Sequence, residues 1–537
     1  MTPALDRLRR RLRGGEDPLP VGLTLLTGAI VAAVVFPLLW LVYDATQVDT
    51  DRAWDLTAST ESLDILLNSL QLTALVTLFS LFVGVPLAYL TVRTNLPFRR
   101  FWTVMSALPL VVPSFVGAFA FVSAFGPNGE FESALAPLGV DSVPQIYGLP
   151  GSVLVITLYT YPYVYLTTRA ALLTFDESLV DAARTLNHGR LRTFWRVTLP
   201  HIRPAAAAGA LLAALYTLSD FGTPAIMRLE VFTRQIYVEN RIGASDYAAL
   251  LSLQLLVLVA VILALEWKVR SDRSVGGSGS TSGGRRIDLG WARWPAMAVP
   301  AAIASTALLV PTWILWLWVR RSGETYQQNL AFDWLYAYNS VSVAFGAAVV
   351  AGLLALPVAY FAANHESPLA LLFERLTYVG FAVPGVVLAL AFVSFGAGYL
   401  PWLYQTIPLL IFAYVVRFLP QAVGSTRTSI LQVDARLVEA SRVLGETSLG
   451  SFRRVTFPLV RSGVVAGAAL VFLTTMKELP VTLILRPIGF QTLSTQIWRA
   501  QDSALFQHAA VPALLLMVVS ALSMVVILLT ESGDRQL

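Results

Sequence analysis

Residues 433–462 read VDARLVEASRVLGETSLGSFRRVTFPLVRS, and residues 175–204 read FDESLVDAARTLNHGRLRTFWRVTLPHIRP. When the chain is shifted by 258 positions, 12 of the 25 residues from Asp176 to Pro200 are identical to those from Asp434 to Pro458, without a gap. Chance alone gives roughly 6% identity for average compositions. A pattern kept over this length predicts a working part that occurs twice in the fold.

Each copy has the pattern of a short amphipathic helix, a sharp turn and a second short helix. In the later copy, Leu437, Ser441 and Leu444 follow one another at i, i+4 and i+7 and therefore share one helix face. We expect this helix to end at Gly445, because glycine adopts the left-handed conformation at no steric cost. The earlier copy has Asn187 there, the next most tolerant residue type.

The later copy resembles the EAA loop of the membrane-spanning permeases of binding-protein-dependent ABC importers. The resemblance is carried by Glu439-Ala440-Ser441, Gly445 and Val455-Thr456-Phe457-Pro458, and in the earlier copy by Asp181-Ala182-Ala183, Asn187 and Val197-Thr198-Leu199-Pro200. In that family the loop is cytoplasmic and docks into a groove on the ATP-binding subunit. The resemblance implies ATPase-coupling roles for Asp181, Ala182, Ala183, Asn187, Glu439, Ala440, Ser441 and Gly445. The alternative is a plain basic loop whose arginines attract anionic lipid headgroups.

The composition predicts an all-α polytopic protein of the cell membrane. Hydrophobic residues make up 56% of the 537 residues and charged residues only 13%, against roughly 25% charged in soluble domains. The absence of cysteine excludes disulfides, thiolate metal sites and cysteine nucleophiles. No phosphate-binding G-x-x-x-x-G-K-[ST] motif and no hydrolase motif occurs, so the chain is not predicted to be an enzyme or to bind ATP in that way.

Apolar runs of about 20 residues, the length that crosses a hydrocarbon core, predict about twelve transmembrane helices. They lie near 21–43, 65–91, 101–126, 148–172, 204–227, 247–267, 292–319, 338–363, 374–399, 403–426, 463–485 and 508–530. Arginine and lysine concentrate in alternate loops and in a cluster at residues 7–13. By the positive-inside rule, both termini are predicted to be cytoplasmic.

The chain divides into two halves. We expect a cytoplasmic segment at 1–20, a first permease domain at 21–270 with coupling loop 175–204, a flexible Gly/Ser-rich linker at 271–290, and a second permease domain at 291–531 with coupling loop 433–462. The halves also repeat outside the loops, since Pro86-Leu87-Ala88-Tyr89 matches Pro357-Val358-Ala359-Tyr360 at an offset of 271. Six spans per half predict two parallel repeats with a pathway between them.

Charged residues interrupt the apolar run that follows each loop. Asp220 in the first half is equivalent to Glu478 in the second, where Lys477 precedes it. An ionisable residue within a span costs roughly 2.5 to 3.5 kcal/mol on insertion scales, so these side chains should face protein or water. They either line the substrate's route or serve packing and ion pairing between helices.

Residues around these charges make the family resemblance more specific. Lys477-Glu478-Leu479-Pro480 and Leu483-Ile484-Leu485-Arg486-Pro487, with Ser219-Asp220-Phe221-Gly222 in the first half, resemble the fused two-domain permeases of ferric-iron importers. Related fused permeases carry thiamine, so thiamine or another small solute is the alternative cargo. The resemblance implies an extracytoplasmic binding protein and a separate ATP-binding subunit in two copies, with membrane lipid around the chain and no cofactor bound by it.

Other functions fit the sequence less well. The four histidines, His188, His201, His365 and His508, form no i, i+4 pair, so no resident metal site is predicted. A secondary transporter driven by an ion gradient would also have repeats, but it has no need for two matched cytoplasmic loops. A polytopic membrane enzyme would need a catalytic set that the sequence lacks, and no nucleic-acid partner is expected.

Overall fold

The computed structural model describes residues 20–126, 129–139, 145–176, 178–186, 189–271, 287–321, 332–365, 367–503 and 505–533. The α-helices of the first half are Val21–Thr46, Thr50–Thr57, Thr60–Arg93, Arg99–Ala107, Ser114–Phe125, Glu130–Leu135, Gly148–Leu173, Ser178–Thr185, Arg190–Thr193, Leu199–Ser219, Gly222–Ile226, Phe232–Ile242 and Ser245–Ser271. Those of the second half are Arg293–Ala296, Ala298–Ala304, Val310–Arg321, Trp334–Asn364, Pro368–Ala382, Gly385–Tyr399, Ile407–Leu431, Ala435–Val443, Ser448–Ser451, Phe457–Met476, Pro480–Leu485, Leu493–Asp502 and Gln507–Gly533. The predicted all-α class is confirmed.

The number of straight spans is lower than the predicted twelve. Eight described stretches are long and apolar enough to cross a membrane: Val21–Tyr43, Thr60–Arg93, Phe194–Ser219, Ser245–Glu266, Gly290–Arg320, Trp334–Asn364, Ile407–Leu431 and Ser448–Met476. Two bent helix pairs raise the number to ten if each pair is one span. Of the other two predicted spans, Gly148–Leu173 is long but rich in hydroxyl side chains, and Gln507–Leu522 is a shorter apolar helix.

Both bent pairs break at a Val-Pro step. In the second half, Pro368–Ala382 and Gly385–Tyr399 meet at 100°, with Val383 and Pro384 between them. Val383 has an extended ψ of 130°, because proline disfavours the helical conformation of the residue before it. The first half breaks at the equivalent position, where Val112 also has a ψ of 130° before Pro113.

The chain forms two compact units that exchange the first helices of the halves. One unit combines Met1–Asp49, Phe332–Arg499 and Val518–Leu537, and the other combines Thr50–Ala331 and Ala500–Met517, as far as these ranges are described. The domain boundaries at 21–270 and 291–531 therefore stay a prediction about the sequence repeats.

Specific contacts hold each exchanged helix in its unit. In helix Val21–Thr46, the hydroxyl of Thr27 lies 3.5 Å from the carbonyl oxygen of Pro357. In the other unit, Ile314 packs in an apolar cluster with Ala120 and Ala124 of helix Ser114–Phe125. Each first helix thus packs part of its apolar surface on the half that it does not belong to in sequence.

The end of the predicted linker is fixed to the loop after helix Thr60–Arg93. Ile287 N–H donates to the carbonyl of Arg93 at 2.8 Å, and Asn95 N–H donates to the carbonyl of Ile287 at 3.1 Å. The Asn95 side-chain amide also donates to Asp288 Oδ1 at 2.6 Å. The Gly/Ser run that suggested a flexible tether lies outside the described residues.

The helix after each loop packs closely on the long helix before it. A Cβ atom placed on Gly209 would lie 2.7 Å from Cα of Val164, and one on the equivalent Gly467 would lie 2.9 Å from Cα of Ala422. Small residues at such crossings let helix backbones approach one another within a membrane. The two crossings are equivalent in sequence, so both halves use the same contact.

Candidate functional site

The loop of the second half turns at Gly445, as predicted. After helix Ala435–Val443, Gly445 N–H donates to the carbonyl of Arg442 at 3.0 Å, and Glu446 N–H donates to the carbonyl of Ser441 at 3.1 Å. These are the two hydrogen bonds of a Schellman motif, and Gly445 has a φ of +93°. The expected left-handed helix end is confirmed.

An aspartate caps the first short helix of both loops. Oδ1 of Asp434 accepts a hydrogen bond of 3.0 Å from Arg436 N–H, and Oδ1 of the equivalent Asp176 accepts one of 3.0 Å from Ser178 N–H. The hydrogen bonds from Ser178 lower the pKa of the Asp176 carboxyl, so the cap is ionised at neutral pH. Asn187, the expected end of the first-half helix, lies outside the described residues.

The first two residues of each acid-Ala-small triplet are exposed, and the third is buried. The exposed residues are Asp181, Ala182, Glu439 and Ala440. Ala183 and Ser441 are buried, and the Ser441 hydroxyl is hydrogen-bonded to that of Ser451 on the second short helix. The third residue thus packs the loop internally, while the acid stays available to a partner.

Each loop also exposes leucine side chains. Leu186 is 72% exposed and the equivalent Leu444 is 85% exposed. Leu179 and Leu437, seven residues earlier on the same helix face, are also exposed. Exposed apolar side chains on a loop are available for contact with another molecule. The matched exposure in both halves favours one kind of partner for both loops.

An aromatic pair links each loop to a long helix. Both loops enter the following helix through a π-helical turn, Phe194–Thr198 and Phe452–Thr456. The ring of Phe194 meets Tyr89 edge-on with centroids 5.0 Å apart, and the ring of Phe452 meets Tyr360 at 5.3 Å. The repeated Pro-x-Ala-Tyr sequences therefore supply a matched contact between loop and helix.

Asp220 in the first half and Lys477 and Glu478 in the second lie at the far ends of the helices that leave the loops. We call each of these helix ends a charged break. Helix Leu199–Ser219 ends before Asp220, and helix Phe457–Met476 ends before Lys477 and Glu478. At 1.5 Å per residue, each helix spans about 30 Å, which is the thickness of a hydrocarbon core. A displacement of either loop can thus be carried along one helix to the charged break.

Glu478 is engaged in an ion pair between helices. Its Oε2 lies 3.2 Å from Nε of Arg417, and both side chains are almost fully buried. Its Oε1 accepts a hydrogen bond of 3.2 Å from Val481 N–H, at the start of the next short helix. Of the two roles predicted for Glu478, these contacts match packing and ion pairing between helices. Lys477 is partly buried beside them.

Asp220 has a different environment from its equivalent. Oδ1 accepts hydrogen bonds from the backbone N–H groups of Gly222 at 3.1 Å and Thr223 at 3.4 Å. Oδ2 is buried and has no hydrogen-bond partner of good geometry among the described residues. Because the sequence places Tyr159 where the second half has Arg417, no arginine stands at the equivalent position.

A protein-family model matches both halves of the chain, including both loops and both charged breaks. The model of the binding-protein-dependent transport system inner membrane component matches the chain twice, at residues 80–275 and 355–532. The chain belongs to this family. The permease carries both membrane domains of an ABC importer in one multi-pass polypeptide, as the resemblance implied.

Relatives match the permease over one half or over both. It is 30% identical to the Fe(3+)-transport system permease protein FbpB 2 of Haemophilus influenzae, over 94% of this chain and 97% of the relative. It is 24% identical to the ferric transport system permease protein FbpB of Actinobacillus pleuropneumoniae, over 85% of this chain and 70% of the relative. The molybdenum transport system permease protein ModB of Mycobacterium tuberculosis is 32% identical over 43% of this chain and 89% of its own length. A solved bacterial alginate ABC transporter in complex with alginate pentasaccharide-bound periplasmic protein aligns at 20% identity with a TM-score of 0.40, over 47% of this chain and 95% of that chain.

Sequence reasoning missed Arg417 of the permease. The available signal was an arginine inside an apolar run, three residues before Pro420. Such a residue requires a buried partner, and Glu478 supplies it. In the part of the chain that the structure describes, no group of three or more His, Cys, Asp or Glu side chains could hold a metal ion.

Proposed function

We propose that this permease imports ferric iron across the cell membrane. The observation that carries the proposal is the similarity of the whole fused chain to permeases named for ferric iron. Relatives named for molybdenum match less than half of it. Thiamine or another small solute remains the alternative cargo.

In this proposal, the energy comes from a separate ATP-binding subunit present in two copies, and the chain itself binds no ATP. The subunits contact the exposed acids and leucines of the coupling loops, including Glu439 and Leu444, while an extracytoplasmic binding protein delivers the cargo. Motion of each loop passes along its helix to the charged break, where Asp220, Lys477 and Glu478 border the substrate's route. The matched caps, turns and aromatic pairs of the two loops support this transmission.

The same proposal includes the orientation of the chain in the membrane. Residues 1–20 and both termini are cytoplasmic, the permease domains cover 21–270 and 291–531, and the linker at 271–290 joins them on the cytoplasmic side. The distribution of arginine and lysine supports this orientation.

Transport in reconstituted vesicles tests the function. The permease with its ATP-binding subunit should take up radioactive iron delivered by an iron-loaded binding protein, and only when ATP is present on the side of the loops. Uptake by the permease alone under a proton or sodium gradient would establish the secondary-transporter alternative. ATP-dependent uptake of thiamine without uptake of iron would replace the cargo but keep the class.

A further inference from the structure

Five positions of each half, which include the acid of its charged break, are equivalent in sequence, and their side chains differ in charge. The first half has Ser114, Tyr159, Tyr163, Tyr216 and Asp220, and the second has Gly385, Arg417, Gln421, Thr474 and Glu478. The offset is 271 for the first position and 258 for the others. The first set has oxygen-bearing side chains at every position, and the second includes an arginine.

Equivalent residues make equivalent contacts within their own units. The rings of Tyr163 and Tyr216 lie 6.2 Å apart, and at the matching positions Thr474 Oγ1 donates to Gln421 Oε1 at 3.0 Å. The acids also match, since the carboxylates of Asp220 and Glu478 each accept from the backbone N–H three residues later. The two sets are therefore variants of one arrangement.

The second set neutralises its own acid. Arg417 pairs with Glu478, and its Nη1 also donates to the carbonyl of Val383 at 3.3 Å. Gly385 makes the space, because a Cβ there would lie 2.5 Å from Arg417 Nη1 and 2.7 Å from Glu478 Oε1. With Lys477 next to Glu478, this break carries two basic groups and one acid.

The first set contains no basic residue that could pair with its acid. Tyr159, at the position of Arg417, donates its hydroxyl to the carbonyl of Ala307 at 3.1 Å. Tyr216 donates its hydroxyl to Ser114 Oγ at 3.0 Å, and hydroxyls of Ser114 and Thr223 stand beside the Asp220 carboxyl. Oδ2 of Asp220 and Oγ1 of Thr223 are buried and have no hydrogen-bond partner of good geometry within the described chain.

We propose that Ser114, Tyr216, Asp220 and Thr223 form a transit site for a hard, multiply charged cation. Carboxylate and hydroxyl oxygens are the ligand type that such cations prefer. A single carboxylate holds the ion only weakly, as passage requires, because an ion must be able to leave a site along its route. This site rests on the proposed import of ferric iron and assigns the cation contact to one half of the permease.

The competing explanation is that Asp220 only caps the short helix Gly222–Ile226. Asp220→Asn separates the two roles, because the Asn side chain keeps an acceptor oxygen for the backbone N–H groups of Gly222 and Thr223 but has no charge. Tyr216→Phe removes one hydroxyl and keeps the ring. Asp246→Asn is the matched control, since this acid is half-exposed and pairs with Arg52 at 3.2 Å.

Two measurements test the site in the full chain. The purified permease is titrated with Tb³⁺, a hard trivalent ion whose luminescence is excited through nearby tyrosines, and the reconstituted importer is assayed for ⁵⁵Fe uptake and ATP hydrolysis. We expect Asp220→Asn to lower Tb³⁺ affinity and iron uptake by about tenfold or more, with normal assembly and ATP hydrolysis. Tyr216→Phe should have a smaller effect, and Asp246→Asn none.

Three results would overturn the site. Unchanged Tb³⁺ binding and iron uptake in Asp220→Asn would refute it while leaving iron import intact. Loss of assembly or ATP hydrolysis together with uptake would assign Asp220 to structure alone. A wild-type importer that transports no iron would refute the proposed function, and the transit site would fall with it.

Discussion

Nε of Arg417 lies 3.2 Å from Oε2 of Glu478, and this buried pair joins three parts of the second half. Arg417 belongs to helix Ile407–Leu431 and also reaches the carbonyl of Val383 at the Val-Pro break. Glu478 belongs to the break that follows helix Phe457–Met476. The helix that leaves the loop at 433–462 is thus held at its far end by an ion pair.

Breaking this pair on one side should destabilise the permease. Arg417→Met removes the cation that pairs directly with the buried Glu478 carboxylate, and removing one partner costs about 3–5 kcal/mol in comparable buried pairs. Thermal unfolding in detergent should therefore show a clearly lower midpoint for Arg417→Met. The double variant Arg417→Met with Glu478→Gln should recover most of the loss, because it removes the unpaired charge. A single variant as stable as the wild type would contradict a stabilising role for the pair.

The sequence predicted local features, such as helix ends, better than it predicted helix bends and the packing of distant segments. The helix end at Gly445 follows from one residue's conformational freedom, so it could be read directly. The bends at Val112 and Val383 have a local cause in Pro113 and Pro384, but the length of an apolar run gives no direction, so each bent pair is predicted as one span. The partner of the first helix is also absent from local patterns, since it depends on contacts between distant segments.

Gly445→Val should impair coupling without preventing membrane insertion. A Cβ at Gly445 meets no atom within 4 Å, so the effect comes only from the φ of +93°. A left-handed conformation costs roughly 1–2 kcal/mol for an L-residue, and the second short helix should be misdirected. Co-purification of the ATP-binding subunit and ATP-dependent uptake should both fall.

Gly445→Asn is the control for this change. Asn tolerates the left-handed conformation, and the first half has Asn187 at the same position. This variant should retain most of the assembly and uptake. Equal losses in Gly445→Val and Gly445→Asn would show that backbone conformation is not the cause.

Gly189→Thr should stabilise the loop of the first half. The equivalent Thr447 caps the second short helix by accepting a hydrogen bond of 3.1 Å from Gly450 N–H, whereas Gly189 has no side chain to do so. A Cβ at Gly189 meets no atom within 4 Å, so the new side chain has room. A cap of this kind contributes only about a few tenths of a kcal/mol over glycine, because glycine is itself tolerated at the N-cap. Slower proteolysis or hydrogen exchange in this loop would support the prediction, and faster cleavage would contradict it.

Removing the Tyr360 ring should loosen the link between loop and helix. Its edge-on contact with Phe452, at 5.3 Å between centroids, contributes about 0.5–1.5 kcal/mol beyond area burial. Tyr360→Leu should lower the amount of cargo moved per ATP hydrolysed, whereas Tyr360→Phe keeps the ring and should behave like the wild type. A coupling ratio that is equal in all three proteins would remove this contact from the transmission of motion.

Placing a charge on the exposed leucines should weaken docking of the ATP-binding subunit without unfolding the permease. Leu186 and Leu444 are 72% and 85% exposed, so an aspartate at either position costs little in the isolated chain. In the proposed complex the same position would be buried, and burying a leucine contributes about 1.5–3 kcal/mol that an unpaired carboxylate would forfeit. The double variant Leu186→Asp with Leu444→Asp should therefore lose most co-purified ATP-binding subunit, while its thermal unfolding stays unchanged.

Ile488→Asp is the matched control, because Ile488 is 91% exposed and lies outside both loops. If the control loses the subunit as readily as the double variant, or if the double variant retains it, the leucine surfaces are not the docking site.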